Sequence, residues 1–167
     1  EAMGGTISVN SENGKGSTFA FHVLLGITQQ LPEEALYTTF DASNKRLPKV
    51  LVVDDNVVNL LIMRKFLANL GIDADVAANG REAIDFVQRD DFDLVFMDVQ
   101  MPEIDGLTAT RLIRELSLST QPFIIALTAN AFETDRERCL AAGMNDFLSK
   151  PFLFDDIKNK LSSFWQA

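Results

Sequence analysis

Five polar side chains in this sequence stand at the ends of short apolar runs. Asp54 and Asp55 follow Lys49–Val53, Asp98 closes Asp93–Asp98, Thr128 follows Phe123–Leu127, and Lys150 follows Asp146–Ser149. Three carboxylates, a hydroxyl and an ammonium suit one kind of chemistry. Carboxylates brought close together repel, so one of them takes up a proton unless a cation sits among them. A hard divalent ion resolves this with oxygen ligands, and Mg²⁺ suits a site with few carboxylates that keeps several waters. Lys150 is then a second, fixed positive charge and Thr128 a hydroxyl donor. The occupant such a set fits is a phosphoryl group. Its transfer needs in-line positioning and stabilisation of charge on the equatorial oxygens, of which Mg²⁺, Lys150 and Thr128 can each take one. Asp98 is the candidate nucleophile, forming an aspartyl phosphate.

These residues meet only if the runs that carry them lie side by side. Lys49–Val53 is β-branched and reads as a buried strand. Val57, Leu60, Leu61, Met63, Phe66, Leu67 and Leu70 recur at helical spacing, and Gly71 stops the helix. Ala74–Ala78 reads as a second strand. Asn79 caps a helix carrying Ala83, Ile84 and Val87. Strands at Asp93–Asp98, Phe123–Leu127 and Asp146–Ser149 follow, separated by helices at about residues 106–116 and 133–142, and Ile157, Leu161 and Phe164 mark a last helix. Five strands alternating with five helices predict an α/β fold with a parallel sheet covered on both faces. Right-handed crossovers make it doubly wound, and its ligand site lies beyond the carboxyl ends of the strands.

Composition narrows the function classes. The chain has 167 residues and a formal net charge of −9, from 24 acids against 15 bases, which argues against nucleic-acid binding. The single cysteine, Cys139, excludes a disulfide framework and reads as an inert buried thiol. No run approaches a membrane span and no signal peptide opens the chain, so the expectation is a cytoplasmic protein without direct membrane contact. The first residue is Glu1, which reads as a piece of a longer chain.

The motifs LVVDDN (51–56), FMDVQMPEIDG (96–106), ALTAN (126–130) and FLSKPF (147–152), in this order, resemble the response-regulator receiver domain over residues 49–165. The resemblance implies a flavodoxin-like (βα)5 fold with strand order 2-1-3-4-5. It assigns Asp98 as the phosphorylated aspartate, Asp55 as direct Mg²⁺ ligand, Asp54 as a ligand acting through water, and the backbone carbonyl of Gln100 as a further ligand. Thr128 and Lys150 match the hydroxyl and lysine of the family. Phe147 takes the place of an aromatic that turns inward on phosphorylation. The bond before Pro151 is often cis in this family, which would help aim Lys150.

Residues 1–25 resemble the tail of a histidine-kinase ATP-binding domain, with Gly14-Lys15-Gly16-Ser17-Thr18-Phe19 matching its last glycine box. Residues 26–48 read as a linker. The order is that of a hybrid sensor histidine kinase, whose parent is expected to be membrane-anchored. The implied partners are a histidine-kinase phosphodonor domain and a histidine-phosphotransfer domain. The phosphorylatable histidine and the other nucleotide boxes are absent, so this stretch is expected to catalyse nothing beyond its own phosphorylation and dephosphorylation. The Gly-rich run is not a P-loop, because Val9 stands where that motif demands Gly. It reads as a hairpin, Thr6–Val9 turning into Thr18–Leu24, that must pack on the receiver or on a neighbouring chain. His22 lies in a strand-like segment and reads as structural. Asp54, Asp55 and Asn56 also suit a helix cap, and Glu103 and Asp105 read as solvated loop acids. Two other functions compete. A haloacid-dehalogenase-like phosphohydrolase would want an acid two residues after its nucleophile, where Gln100 stands. A phosphorylation-independent scaffold would usually have lost a site residue, and none is lost.

Overall fold

The computed structural model describes residues 5–12, 14–22, 46–129 and 133–165. The chain divides into two compact units, Glu1–Leu36 and Tyr37–Ala167. In the first, β1 (Thr6–Glu12) pairs antiparallel with β2 (Gly16–His22). Both strands run longer toward the turn than expected, since Gly14 and Gly16, with φ of 81° and 99°, let the chain reverse tightly. Val23 and Leu24, expected to extend the second strand, lie outside the described residues.

The second unit is a five-stranded parallel sheet. Its strands are β3 (Val50–Val53), β4 (Ala74–Ala77), β5 (Leu94–Asp98), β6 (Phe123–Thr128) and β7 (Asp146–Ser149). They lie in the order β4-β3-β5-β6-β7, which is the expected order 2-1-3-4-5 counted within this unit. Side chains alternate between two cores, because successive residues of a strand point to opposite faces. Val50, Val52, Leu94, Phe96, Ile125 and Leu127 face α1 (Val57–Asn69) and α5 (Phe154–Phe164). Leu51, Val53, Val95, Met97, Ile124 and Ala126 face α2 (Gly80–Arg89), α3 (Gly106–Glu115) and α4 (Glu133–Ala141). With both faces covered, the central strands need apolar residues at every position, and hence read as continuous apolar runs. No helix among the described residues is long and apolar enough to cross a membrane.

Local signals set the helix starts. Asn56 accepts the Val58 N–H, Asn79 that of Glu82, and Asp105 that of Thr108, each filling an orphan donor of a first turn. Asp105 is therefore the cap of α3 as well as the exposed loop acid the sequence suggested. The cap of α1 is Asn56, which leaves Asp54 and Asp55 to other tasks.

Gly106 opens α3 hard against the end of β5. Its N–H donates to the Val99 carbonyl at 3.1 Å, and a Cβ added here would overlap the Asp98 carbonyl oxygen. Backbone cannot yield as a flexible side chain does. Gly106→Ala is expected to lower stability by about 3 kcal/mol or more, read as a fall in the urea midpoint; a midpoint equal to wild type would show that this approach is not needed.

Candidate functional site

The carboxyl ends of β3, β5, β6 and β7 lie along one edge of the sheet and deliver the residues named above to it. Asp54, following β3, is buried. It accepts hydrogen bonds from the Asn56 N–H at 2.9 Å, from Asn59 Nδ2 at 3.0 and 3.1 Å, and from Lys150 Nζ at 2.6 Å. Asn59, one turn into α1, is a residue that sequence reasoning did not single out. Its signal is its helical spacing from the Asn56 cap, which turns its amide back toward the strand end.

Asp98, the last residue of the central strand β5, is also buried. Its Oδ2 lies 2.8 Å from Lys150 Nζ, and its Oδ1 accepts the Gln100 N–H at 3.3 Å. One ammonium therefore bridges carboxylates from two neighbouring strands. Lys150 reaches them from the end of β7, where its own N–H donates to the Thr128 carbonyl at 2.7 Å and the Lys150–Pro151 bond is cis. Thr128 is buried at the end of β6, and Asp55 is exposed beside Asp54.

Asp54, Asp55 and Asp98 each offer an oxygen, and these atoms lie within 4.8 Å of one another. Three carboxylates against one ammonium leave the cluster with a formal charge of −2. An all-oxygen donor set with that residual charge fits a hard divalent cation better than a soft or monovalent one.

Electrostatics agree with the geometry. Burial pushes the Asp98 carboxyl above its ordinary range, with the Asp54 charge adding to it, while the Lys150 hydrogen bond and charge act the other way. Burial pulls Lys150 down, but its hydrogen bonds to Asp54 and Asp98 outweigh this and hold it above its ordinary value, so it stays charged at neutral pH.

Phe147, on β7, is half-buried, with two cations near its ring. Arg136 of α4 lies 5.6 Å from the ring centroid and Lys160 of α5 5.2 Å, and Lys160 also holds Asp146 at 2.7 Å. Neither cation was legible as a partner of the ring, since their helices approach β7 only in three dimensions. Cys139 is buried and its thiol is pushed up chiefly by that burial, as an inert thiol should be. His22 is exposed on β2.

Residues 50–162 match the family model of the response regulator receiver domain. The chain is 37% identical to hybrid signal transduction histidine kinase K of Dictyostelium discoideum over 95% of its length, and 37% identical to the aerobic respiration control sensor protein ArcB of Escherichia coli over 99%. It spans only 14% and 21% of those two proteins. Among solved structures, it resembles the receiver domain of the Pseudomonas aeruginosa sensor histidine kinase PA1611, which has a magnesium ion coordinated in its active-site cleft. That match has TM-score 0.67 and 38% identity, over 73% of this chain and all of the other. A Saccharomyces cerevisiae receiver domain co-crystallised with its histidine phosphotransfer protein matches with TM-score 0.65 and 32% identity, over 72% of this chain and 91% of the other.

Burial of Asp98 also couples stability to pH. A carboxyl whose folded value exceeds its unfolded one favours the native state while protonated, and that advantage is lost as pH rises through the folded value. Asp98→Asn abolishes the titration. In metal-free buffer, the thermal midpoint of Asp98→Asn relative to wild type is expected to climb as pH rises through the elevated Asp98 range and to level off above it. A pH-independent difference would contradict the assignment.

Proposed function

This chain belongs to the response regulator receiver domain family, and on that premise we propose that Asp98 is the phosphoryl acceptor of a two-component phosphorelay, with phosphohistidine as donor. The observation that carries this reading is the Lys150 ammonium bridging Asp54 and Asp98 at the sheet edge. In the transfer, an Asp98 carboxylate oxygen forms a bond to phosphorus as the phosphorus–nitrogen bond of the donor breaks, and the electron pair leaves with the imidazole. Lys150 shifts from balancing Asp98 to balancing the incoming phosphoryl oxygens. Thr128, at the end of the next strand, donates its hydroxyl to another. Mg²⁺ would be held by Asp55, Asp98 and the Gln100 backbone carbonyl, with Asp54 acting through water; when bound it neutralises charge on the phosphoryl oxygens. Asn59 and the Asn56 N–H keep Asp54 oriented for that task.

The signal leaves by a change in the balance of two conformations. Thr128 follows the phosphoryl group and Phe147 turns inward behind it, leaving Arg136 and Lys160. Each cation over the ring contributes on the order of 0.5–1 kcal/mol, so the pair weights the unphosphorylated state without locking it.

A histidine-phosphotransfer domain is the partner we assign, docked on α1. Val57, Val58 and Leu61 are 63%, 59% and 59% exposed, an unusual apolar display for a helix that already buries Leu60, Met63 and Leu67. They adjoin a cavity of about 310 Å³ lined by Asn59, Ile62, Lys150, Pro151 and Phe152, so a partner seated there would present its phosphohistidine close to Lys150.

We further take residues 1–25 as the end of a kinase ATP-binding domain and residues 26–48 as the linker, in a parent hybrid histidine kinase working from the cytoplasmic side of a membrane. Supporting this, the cross-strand pairs Ile7–Phe21 and Val9–Phe19 expose an apolar face on the hairpin, as expected of strands that belong to a larger sheet or core.

With Mg²⁺ and acetyl phosphate, the wild-type chain is expected to gain a single phosphoryl group by intact mass, and Asp98→Ala none. Label retained in Asp98→Ala would move the acceptor elsewhere. Lys150→Ala should slow the modification by about two orders of magnitude. Arg136→Ala combined with Lys160→Ala should raise the fraction of Phe147 turned inward in the unphosphorylated chain, read from the ring's NMR shifts; an unchanged spectrum would remove the clamp.

A further inference from the structure

A second cavity, of about 400 Å³, opens beside the site on the side of α4. Its lining includes Asp55, Gln100, Thr128, Asp105, Asp135 and Arg138. Lys150 lines a different cavity, with Asn59 and Phe152. Arg138 is thus the cation lining this second cleft, which reaches the site at Asp55, Gln100 and Thr128, and it stands there with three carboxylates, for a formal balance of −2 in a protein of net charge −9. Mg²⁺ held by Asp55 would offset the local charge, but the net charge of the whole protein still repels a phosphorylated anion. A protein donor offsets the repulsion with its own docking contacts, but a small donor has none.

Arg138 is weakly committed. It pairs with Asp135, one turn earlier on α4, at 3.4 Å, and the two side chains are 67% and 23% exposed. Charge-assisted hydrogen bonds of full strength are shorter, near 2.7–2.9 Å, and an exposed pair of this kind contributes only about 0.2–1 kcal/mol. A phosphoryl dianion carries more charge than one carboxylate and can displace it. A guanidinium also offers the planar pair of donors that suits phosphoryl oxygens.

We propose that Arg138 is a specificity residue for small anionic phosphodonors, the acyl phosphates and phosphoramidates. It draws the donor into the α4-side cleft and orients its phosphoryl group toward Asp98. With acetyl phosphate, an Asp98 carboxylate oxygen forms the new bond to phosphorus, the bond from phosphorus to the acetate oxygen breaks, and acetate departs with the electron pair. This rests on Asp98 being the acceptor.

The test is the second-order rate constant for modification by acetyl phosphate with Mg²⁺, measured at low and at high salt. At low salt, Arg138→Gln is expected to be slower than wild type by about fivefold, with the gap closing as salt screens the attraction. Arg138→Lys should recover most of the rate. Asp135→Asn, which frees the guanidinium and removes a negative charge, should exceed wild type by about twofold. Arg138→Gln matching wild type at low salt would overturn the proposal. So would a deficit that salt leaves unchanged, since that marks a structural effect. Label persisting in Asp98→Ala would instead mark failure of the acceptor reading, and the proposal would fall with it.

Discussion

The half-buried Lys150 ammonium, 2.6 Å from Asp54 and 2.8 Å from Asp98, is the interaction on which the site depends. Two carboxylates at the ends of adjacent strands would otherwise face each other with little water between them. Desolvation and mutual repulsion both oppose that, and only a fixed cation in hydrogen-bond contact offsets them. The compensation is incomplete, because Asp55 brings a third carboxylate to the cluster. The residual negative charge is what makes the site receptive to a divalent cation. A fully neutral cluster would be more stable and less useful.

The scaffold holds this charge imbalance by being firm elsewhere. At the opposite edge of the sheet, Arg114 of α3 donates to the carbonyls of Gly143 and Pro122 and to the side chains of Gln121 and Asn145, at 2.8–3.1 Å. The Asn145 side chain in turn accepts the Ile124 N–H. That network fastens the start of β6 to the segment before β7, so the positions of Thr128 and Lys150 at the other ends of those strands are set by a tied base. The two apolar cores on either face of the sheet do the same for β3 and β5. Among the described residues, the buried carboxylates, Asp54 and Asp98, lie at the edge where chemistry needs them.

The switch and the site are joined through β7. This strand carries Phe147 and ends one residue before Lys150, while α4 and α5 supply the cations over the ring. A shift in the charge around Lys150 is thus felt within one short edge strand. Only Leu148 of its four residues is fully buried, fewer than in any other strand of this sheet, and small displacements there are the least costly.

The apolar runs, the Asn79 cap and the turn glycines were sufficient for strand number, helix positions and parallel topology, because the backbone period and the covering of both sheet faces leave few other solutions. Strand-end residues were legible for the same reason: once the strands are parallel, their carboxyl ends share one edge. Strand and helix limits moved by one to three residues, and Asp105 proved to be a cap, since hydrogen bonding at element ends competes among near-equal local choices. What the sequence could not determine is which charges touch. That Lys150 bridges two carboxylates, that Asn59 steers Asp54, that Arg136 and Lys160 lie near the Phe147 ring, and that Arg138 lines a cleft beside Asp55 and Thr128 all follow from distances between segments far apart in the chain. Those distances are fixed by how the helices pack on the twisted sheet, and no one-dimensional pattern encodes them.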